Sequence, residues 1–190
     1  MLNQKFFKKI KAEYELYGSE RRKLISESNE ALALSKQAIF ALHRDDVERA
    51  GELLKTIENI FENLEKRFER DEELRGEGAY RAATEEYAEA KLFFNFLREK
   101  KIDEIKEIKV DLDSYLGGLC DLTGEILRKA IASATKRKFD EVEEFKKAIE
   151  SIMQELIEMN LTGYLRTKYD QAKNNMRKIE EIMYDISIRK

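Results

Sequence analysis

The sequence contains no proline, eight glycines, one cysteine and one histidine. An all-β or βα-rich chain needs more proline and glycine at its turns, so their scarcity predicts long helices. The single cysteine, Cys120, excludes an intramolecular disulfide framework and any CxxC zinc or redox motif. The single histidine, His43, excludes His-rich metal sites and HExxH chemistry. No run of 18 apolar residues occurs, so no membrane span is expected. The opening MLNQKFFKKIKAEYELYG is charged throughout and lacks the uninterrupted apolar stretch of a signal peptide. The expectation is a soluble, cytoplasmic, helical protein with no membrane partner.

What is present sets the scale. Charged residues make up 39% and apolar residues 42% of 190 positions, which excludes disorder from lack of apolar content. Thirty-six basic and 39 acidic residues give a net charge of -3, so the whole surface is not a nucleic-acid footprint, although a local basic patch is compatible with it. Richness in Lys and Glu is the composition of heat-adapted proteins.

Helical periodicity runs through the chain. Ala50, Leu54, Ile57, Phe61, Leu64 and Phe68 step by four and three alternately, as do Val142, Phe145, Ile149, Ile152, Leu156 and Met159. Leu165, Tyr169, Ala172, Met176, Ile179, Met183 and Ile186 repeat the pattern. An earlier stripe, Ile25, Leu32, Ile39 and Leu42, carries Ser28 and Ser35 between its apolar positions, which suggests close helix approach. A shorter stripe, Phe7, Ile10, Tyr14 and Tyr17, is expected to end at Gly18 and Ser19. Asp45 with Glu48, and Asp140 with Glu143, have the spacing of capping boxes. The alternation in IKVDLD at 108–113 is too short for a strand. Breaks fall near 43–45, 75–78, 100–113, 136–139 and 160–163, without a long linker, so residues 1–190 are expected to form one domain. The predicted fold is all-α, an antiparallel bundle of six to seven long helices with seams left over for oligomerisation.

Two helices carry a candidate site. Glu86 and Glu89 lie three apart and share one face; Asp121 and Glu125 lie four apart and share another. The second face is lined by Gly117, Gly118 and Gly124, each costing roughly 1 kcal/mol relative to alanine in a helix. Something must approach that backbone closely, either a neighbouring helix or a ligand. Two such pairs meeting would make an all-oxygen site for a hard divalent cation. Magnesium or manganese suits an inventory without histidine pairs, and phosphoryl transfer with a metal-activated water suits the ion. In a chain with 39 acidic residues, such pairs also fit ordinary solvated helix faces.

The segments EEYAEA at 85–90 and DSYLGGLCDLTGEILR at 113–128 resemble the translin superfamily, specifically its translin-associated factor X (TRAX) branch. So do ERRKLISESNEALALSKQAIFALHR at 20–44 and KYDQAKNNMRKIEEIMYDISIRK at 168–190, four collinear blocks in all. The resemblance implies a seven-helix fold, several subunits around an enclosed cavity, and a magnesium-dependent endoribonuclease acting on single-stranded RNA. It matches catalytic, metal-binding carboxylates to Glu86, Glu89 and Asp121, with Glu125 as the fourth. Translin proper lacks the aspartate of that block, so the active branch is the better match. Archaeal members resemble a stand-alone version. A short N-terminus and a compact 100–112 connection make a homo-oligomer the simpler expectation than a complex with separate translin.

Four arginines complete the candidate set. Arg128 shares the face of Asp121 and Glu125 and suits either a phosphate oxygen or an ion pair with Glu125. Arg81 beside Tyr80, and Arg21 and Arg22 near Tyr17, suit RNA phosphate contact with stacking, or an ordinary solvated surface. His43, Cys120 and the tyrosines Tyr164, Tyr169 and Tyr184 read as structural. The competing functional readings are a non-catalytic, translin-like nucleic-acid-binding oligomer and a helical scaffold with no nucleic-acid role.

Overall fold

The computed structural model describes residues 2–69 and 71–188. Among these the chain forms six α-helices: α1 (Gln4–His43), α2 (Val47–Phe68), α3 (Gly78–Glu99), α4 (Leu112–Thr135), α5 (Phe139–Glu158) and α6 (Gly163–Ile188). A short 3-10 helix, Glu72–Gly76, precedes α3. The all-α bundle expected from the periodicity is therefore found, and no strand occurs among the described residues.

The a/d stripes face inward. Every member of the α2 stripe is buried, and so are Val142, Phe145, Ile149, Ile152 and Leu156 of α5. Met159 falls past the end of α5 and is exposed. α3 and α4 form the centre, with α1 and α2 packed on one side and α5 and α6 on the other. Ser28 and Ser35 are fully buried, as small residues at a close helix contact should be.

Several boundaries differ from expectation. No break occurs at Gly18: α1 runs unbroken for 40 residues. One glycine costs less than restarting a helix, which must again pass an unfavourable nucleus. Of the stripe ahead of Gly18 only Tyr17 packs against the core; Phe7, Ile10 and Tyr14 are exposed, as are Phe6 and Leu16. The cap of α2 is Asp46, whose side chain accepts from Arg49 N at 3.1 Å, not Asp45. Asp45 takes a left-handed conformation (φ 63°) and pairs with Lys129 instead. Lys138 stands at the N-cap of α5 with no side-chain cap bond, and Asp140 lies in the first turn where its charge suits the helix dipole.

The glycines of α4 answer the question their presence raised. A Cβ at Gly118 would lie 2.8 Å from Glu89 N and 2.9 Å from both Ala88 Cβ and Glu85 O. The close visitor is thus the backbone of α3, which cannot swing aside as a side-chain tip can. Gly118 permits α3 and α4 to approach at the turn where the acidic residues stand.

Gly51 on α2 is the contrast, since a Cβ there meets only Phe94 ring carbons at 3.5 Å, an ordinary contact. Gly118→Ala is therefore expected to lower stability by about 2 kcal/mol or more despite alanine's better helix propensity. Gly51→Ala should raise it by up to about 1 kcal/mol. Denaturant unfolding of both variants checks the contrast, and equal effects would contradict it.

Candidate functional site

The face of α3 opposite Gly118 carries Glu85, Glu86 and Glu89, and the facing turns of α4 carry Asp121 and Glu125. The two sequence-predicted pairs are brought together: Glu86 and Glu89 each feel the charges of Asp121 and Glu125. Glu89 is the most deeply set, 8% exposed, and its carboxyl has no hydrogen-bond or ion-pair partner among the described residues. Burial first, then the charges of Asp121, Glu86 and Glu125, push its pKa up to about 9. Glu86 is raised above the carboxylate range mainly by burial, with Lys36 Nζ at 3.9 Å opposing the shift. Asp121 is also raised, again mainly by burial.

Three residues that sequence reasoning did not place in the site hold its carboxylates. Lys168 of α6 donates its Nζ to Asp121 Oδ2 and lies 2.8 Å from Glu85 Oε1. Glu85 also accepts from the Tyr164 hydroxyl at 2.6 Å, so Tyr164 is a rim residue and not helix packing. His43, at the end of α1, sets its Nε2 against Glu125 Oε2 while its ring leans on Phe93 at 5.2 Å. The available signals were slight. Tyr164 and Lys168 are four apart on one face of α6, Glu85 is half of an EE doublet, and His43 is the sole histidine.

The arginines separate. Arg128 belongs to the cluster, with Nη1 3.8 Å from Glu125 Oε2 and the side chain exposed. Arg81 is exposed near the start of α3, where its charge reaches Asp111. Arg21 is taken up by a bidentate pair with Glu77, roughly 13 Å along α3 from Glu86. Arg22 lies beside it with Tyr14 and Tyr17 around a surface hollow. Arg21 and Arg22 therefore do not join the carboxylates. Cys120 is buried, and burial followed by the Asp121 charge pushes its thiol up to about 12, which fits a packing role.

The donor set matches the divalent ion expected from the sequence in chemistry but not in arrangement. Its chemistry fits: the groups are all oxygen donors, mutually repelling, and include the largely buried Glu89 carboxyl, whose charged form burial and its neighbours disfavour. Its arrangement is not a ready ligand shell, because no three candidate ligands among the described residues converge closely enough. Lys168 and His43 occupy oxygens that an ion would need.

Residues 19–190 match the Translin family, so the chain belongs to that family. Within it, the likeness that runs along the chain is to the factor X side. A translin-associated protein X homolog from Schizosaccharomyces pombe is 24% identical over 189 residues, covering 90% of this chain and 82% of that protein. Chicken (Gallus gallus) translin is 32% identical over 88 residues, a match spanning 46% of this chain but only 38% of that translin's length. Among solved structures, apo-NeC3PO superposes with a TM-score of 0.86 at 25% identity, covering 97% of both chains. An AfC3PO–duplex RNA complex gives 0.86 at 21% identity over 97% of each chain. Among the described residues no helix is long and apolar enough to cross a membrane.

Because Glu89 ionises near pH 4.5 in an unfolded chain and near 9 here, the folded state holds a proton that the unfolded state releases between those values. Stability in EDTA is thus expected to fall as pH rises from 5 to 9, with Glu86 and Asp121 shifting in the same sense. One proton sets a slope of at most about 1.4 kcal/mol per pH unit. Glu89→Gln should flatten this dependence and be the more stable protein at pH 8. Thermal melts across the range check it, and a rising wild-type curve would contradict the assignment.

Proposed function

We propose that this protein is a metal-dependent endoribonuclease that cleaves phosphodiester bonds of single-stranded RNA, working in the cytoplasm as a homo-oligomer whose subunits enclose a cavity. One observation carries the reading: a largely buried Glu89 set among Glu86, Asp121 and Glu125, an arrangement costly to the fold and suited to a divalent cation. The fold likeness to an AfC3PO bound to duplex RNA supports RNA as the ligand class. The resemblance of EEYAEA and DLTGE to the factor X branch supports cleavage as the activity.

Glu86, Glu89 and Asp121, with Glu125 as the fourth, would hold magnesium, or manganese. Such an ion contributes Lewis-acid polarisation of the scissile phosphate and a nucleophilic water at neutral pH. The protein's own groups prepare that chemistry. Glu89 would bind an ion best as a carboxylate, and burial with the neighbouring carboxylates disfavours that charged form until positive charge arrives. His43 fixes the orientation of Glu125, its ring braced by Phe93. Arg128, exposed beside Glu125, is placed to meet a phosphate oxygen. Arg81 and Arg22, away from the carboxylates, suit contact with flanking phosphates; Arg21 does so only if it leaves Glu77.

A second reading, a non-catalytic translin-like nucleic-acid-binding oligomer, is favoured by Lys168 on Asp121 and by the lack of a converged ligand set among the described residues. Cleavage of a short labelled RNA, single-stranded and duplex, separates the two. The expected result is cutting of the single strand that requires magnesium or manganese and falls roughly 100-fold or more in Asp121→Ala while binding is retained. Binding without cutting under either ion would establish the second reading, and equal cutting of the duplex would overturn the strand preference.

A further inference from the structure

Lys168 reaches the acidic cleft from α6 and only 16% of its side chain is exposed. Its ammonium serves two carboxylates on two different helices, Asp121 of α4 and Glu85 of α3. Glu85 is not one of the residues that the proposed activity calls on, yet the fold makes room for it. The Glu85 carboxylate lies over Gly117 of α4, in space that a side chain there would contest. Tyr164 then holds the same carboxylate from the rim, and its ring lies 5.4 Å from the Lys168 nitrogen. Glu85 and Tyr164 together seat one cation against Asp121.

We propose that Lys168 is the resident counter-cation of the carboxylate cluster and a positioning residue for Asp121, holding the cluster together before a divalent ion arrives and competing with that ion for the aspartate. The inference rests on the reading of the cluster as a magnesium or manganese site. An ammonium with two carboxylate partners neutralises part of a repulsive group, which lets the fold form without metal. The same positive charge stands beside any ion that shares Asp121 and weakens its binding, the more so because the cleft is partly desolvated. Lys168 thereby sets how much free ion is needed to load the site.

This role and a purely structural one predict opposite signs. If Lys168 only braces α6 against α3 and α4, its removal loosens Asp121 and Glu85 and ion binding weakens. If it competes, removal strengthens ion binding even as the ion-free protein loses stability. Thermal unfolding in EDTA and through magnesium and manganese titrations at fixed ionic strength, on wild type, Lys168→Met, Lys168→Arg and Glu85→Gln, reads both quantities. Lys168→Met is expected to melt lower in EDTA, with its half-saturating ion concentration reduced about tenfold or more. Lys168→Arg, which keeps the charge, should stay within about threefold of wild type, and Glu85→Gln should need more ion, since Lys168 then bears on Asp121 alone. Should Lys168→Met not fold in EDTA, Lys168→Gln is read in its place. An ion response in wild type that is unchanged or weaker in the uncharged variant overturns the inference alone. No ion response in any protein overturns the metal-site reading and the inference with it.

Discussion

The closeness of α3 and α4 at Gly118 is the constraint on which the rest of the structure depends. There is no room for a methyl group between Gly118 and the backbone of Glu85 and Glu89 or the Ala88 Cβ. Helices that close exclude water from whatever their facing turns carry, and here those turns carry carboxylates. Burial is accordingly the largest influence on Glu86, Glu89 and Asp121 alike, ahead of any neighbouring charge. The backbone geometry of one glycine and the electrostatics of the cleft are the same fact at two scales.

Elsewhere the protein buries charge in a different manner. Lys91, as buried as Glu89, is answered by Glu58 at 2.9 Å and Glu107 at 2.6 Å, and Tyr87 donates to Glu58 as well. That network ties α3 to α2 and to the 101–111 connection, and every member has a partner of opposite sign or a hydrogen bond. The carboxylate cluster does not reach this state: Lys36 and Lys168 pair with Glu86 and Asp121 at its edges, and the Lys168 charge only partly offsets the burial and repulsion felt by Glu89. A completed buried network serves stability; an incomplete one marks a place kept for something else.

The helical architecture was open to reading from sequence because apolar spacing is a local property. Each stripe of α2, α5 and α6 could be taken residue by residue, and the two acidic pairs followed from the same period. What could not be read was any contact made across helices. Lys168 and Glu85 are 83 positions apart, and nothing in the spacing of either announces the other. The glycines raised the right question but not its answer, since a helix and a ligand make the same demand for space. Boundaries failed for another reason: Gly18 is a weak stop when helix lies on both sides, and a left-handed Asp45 moves the α2 cap by one residue.

The opening stretch of α1 has a consequence for the physics of the free chain. Its residues up to Leu16 are exposed throughout, and a segment of that length would be only marginally helical on its own in water. Joined to a turn already held by Leu24 and Ala31 in the core, it avoids nucleation and needs only propagation. Its helicity is borrowed from the bundle and should weaken with distance from the core. Backbone amides along it would then exchange with solvent on a gradient, fastest near Gln4 and slowing turn by turn toward the core, without the single cooperative step that governs the buried helices.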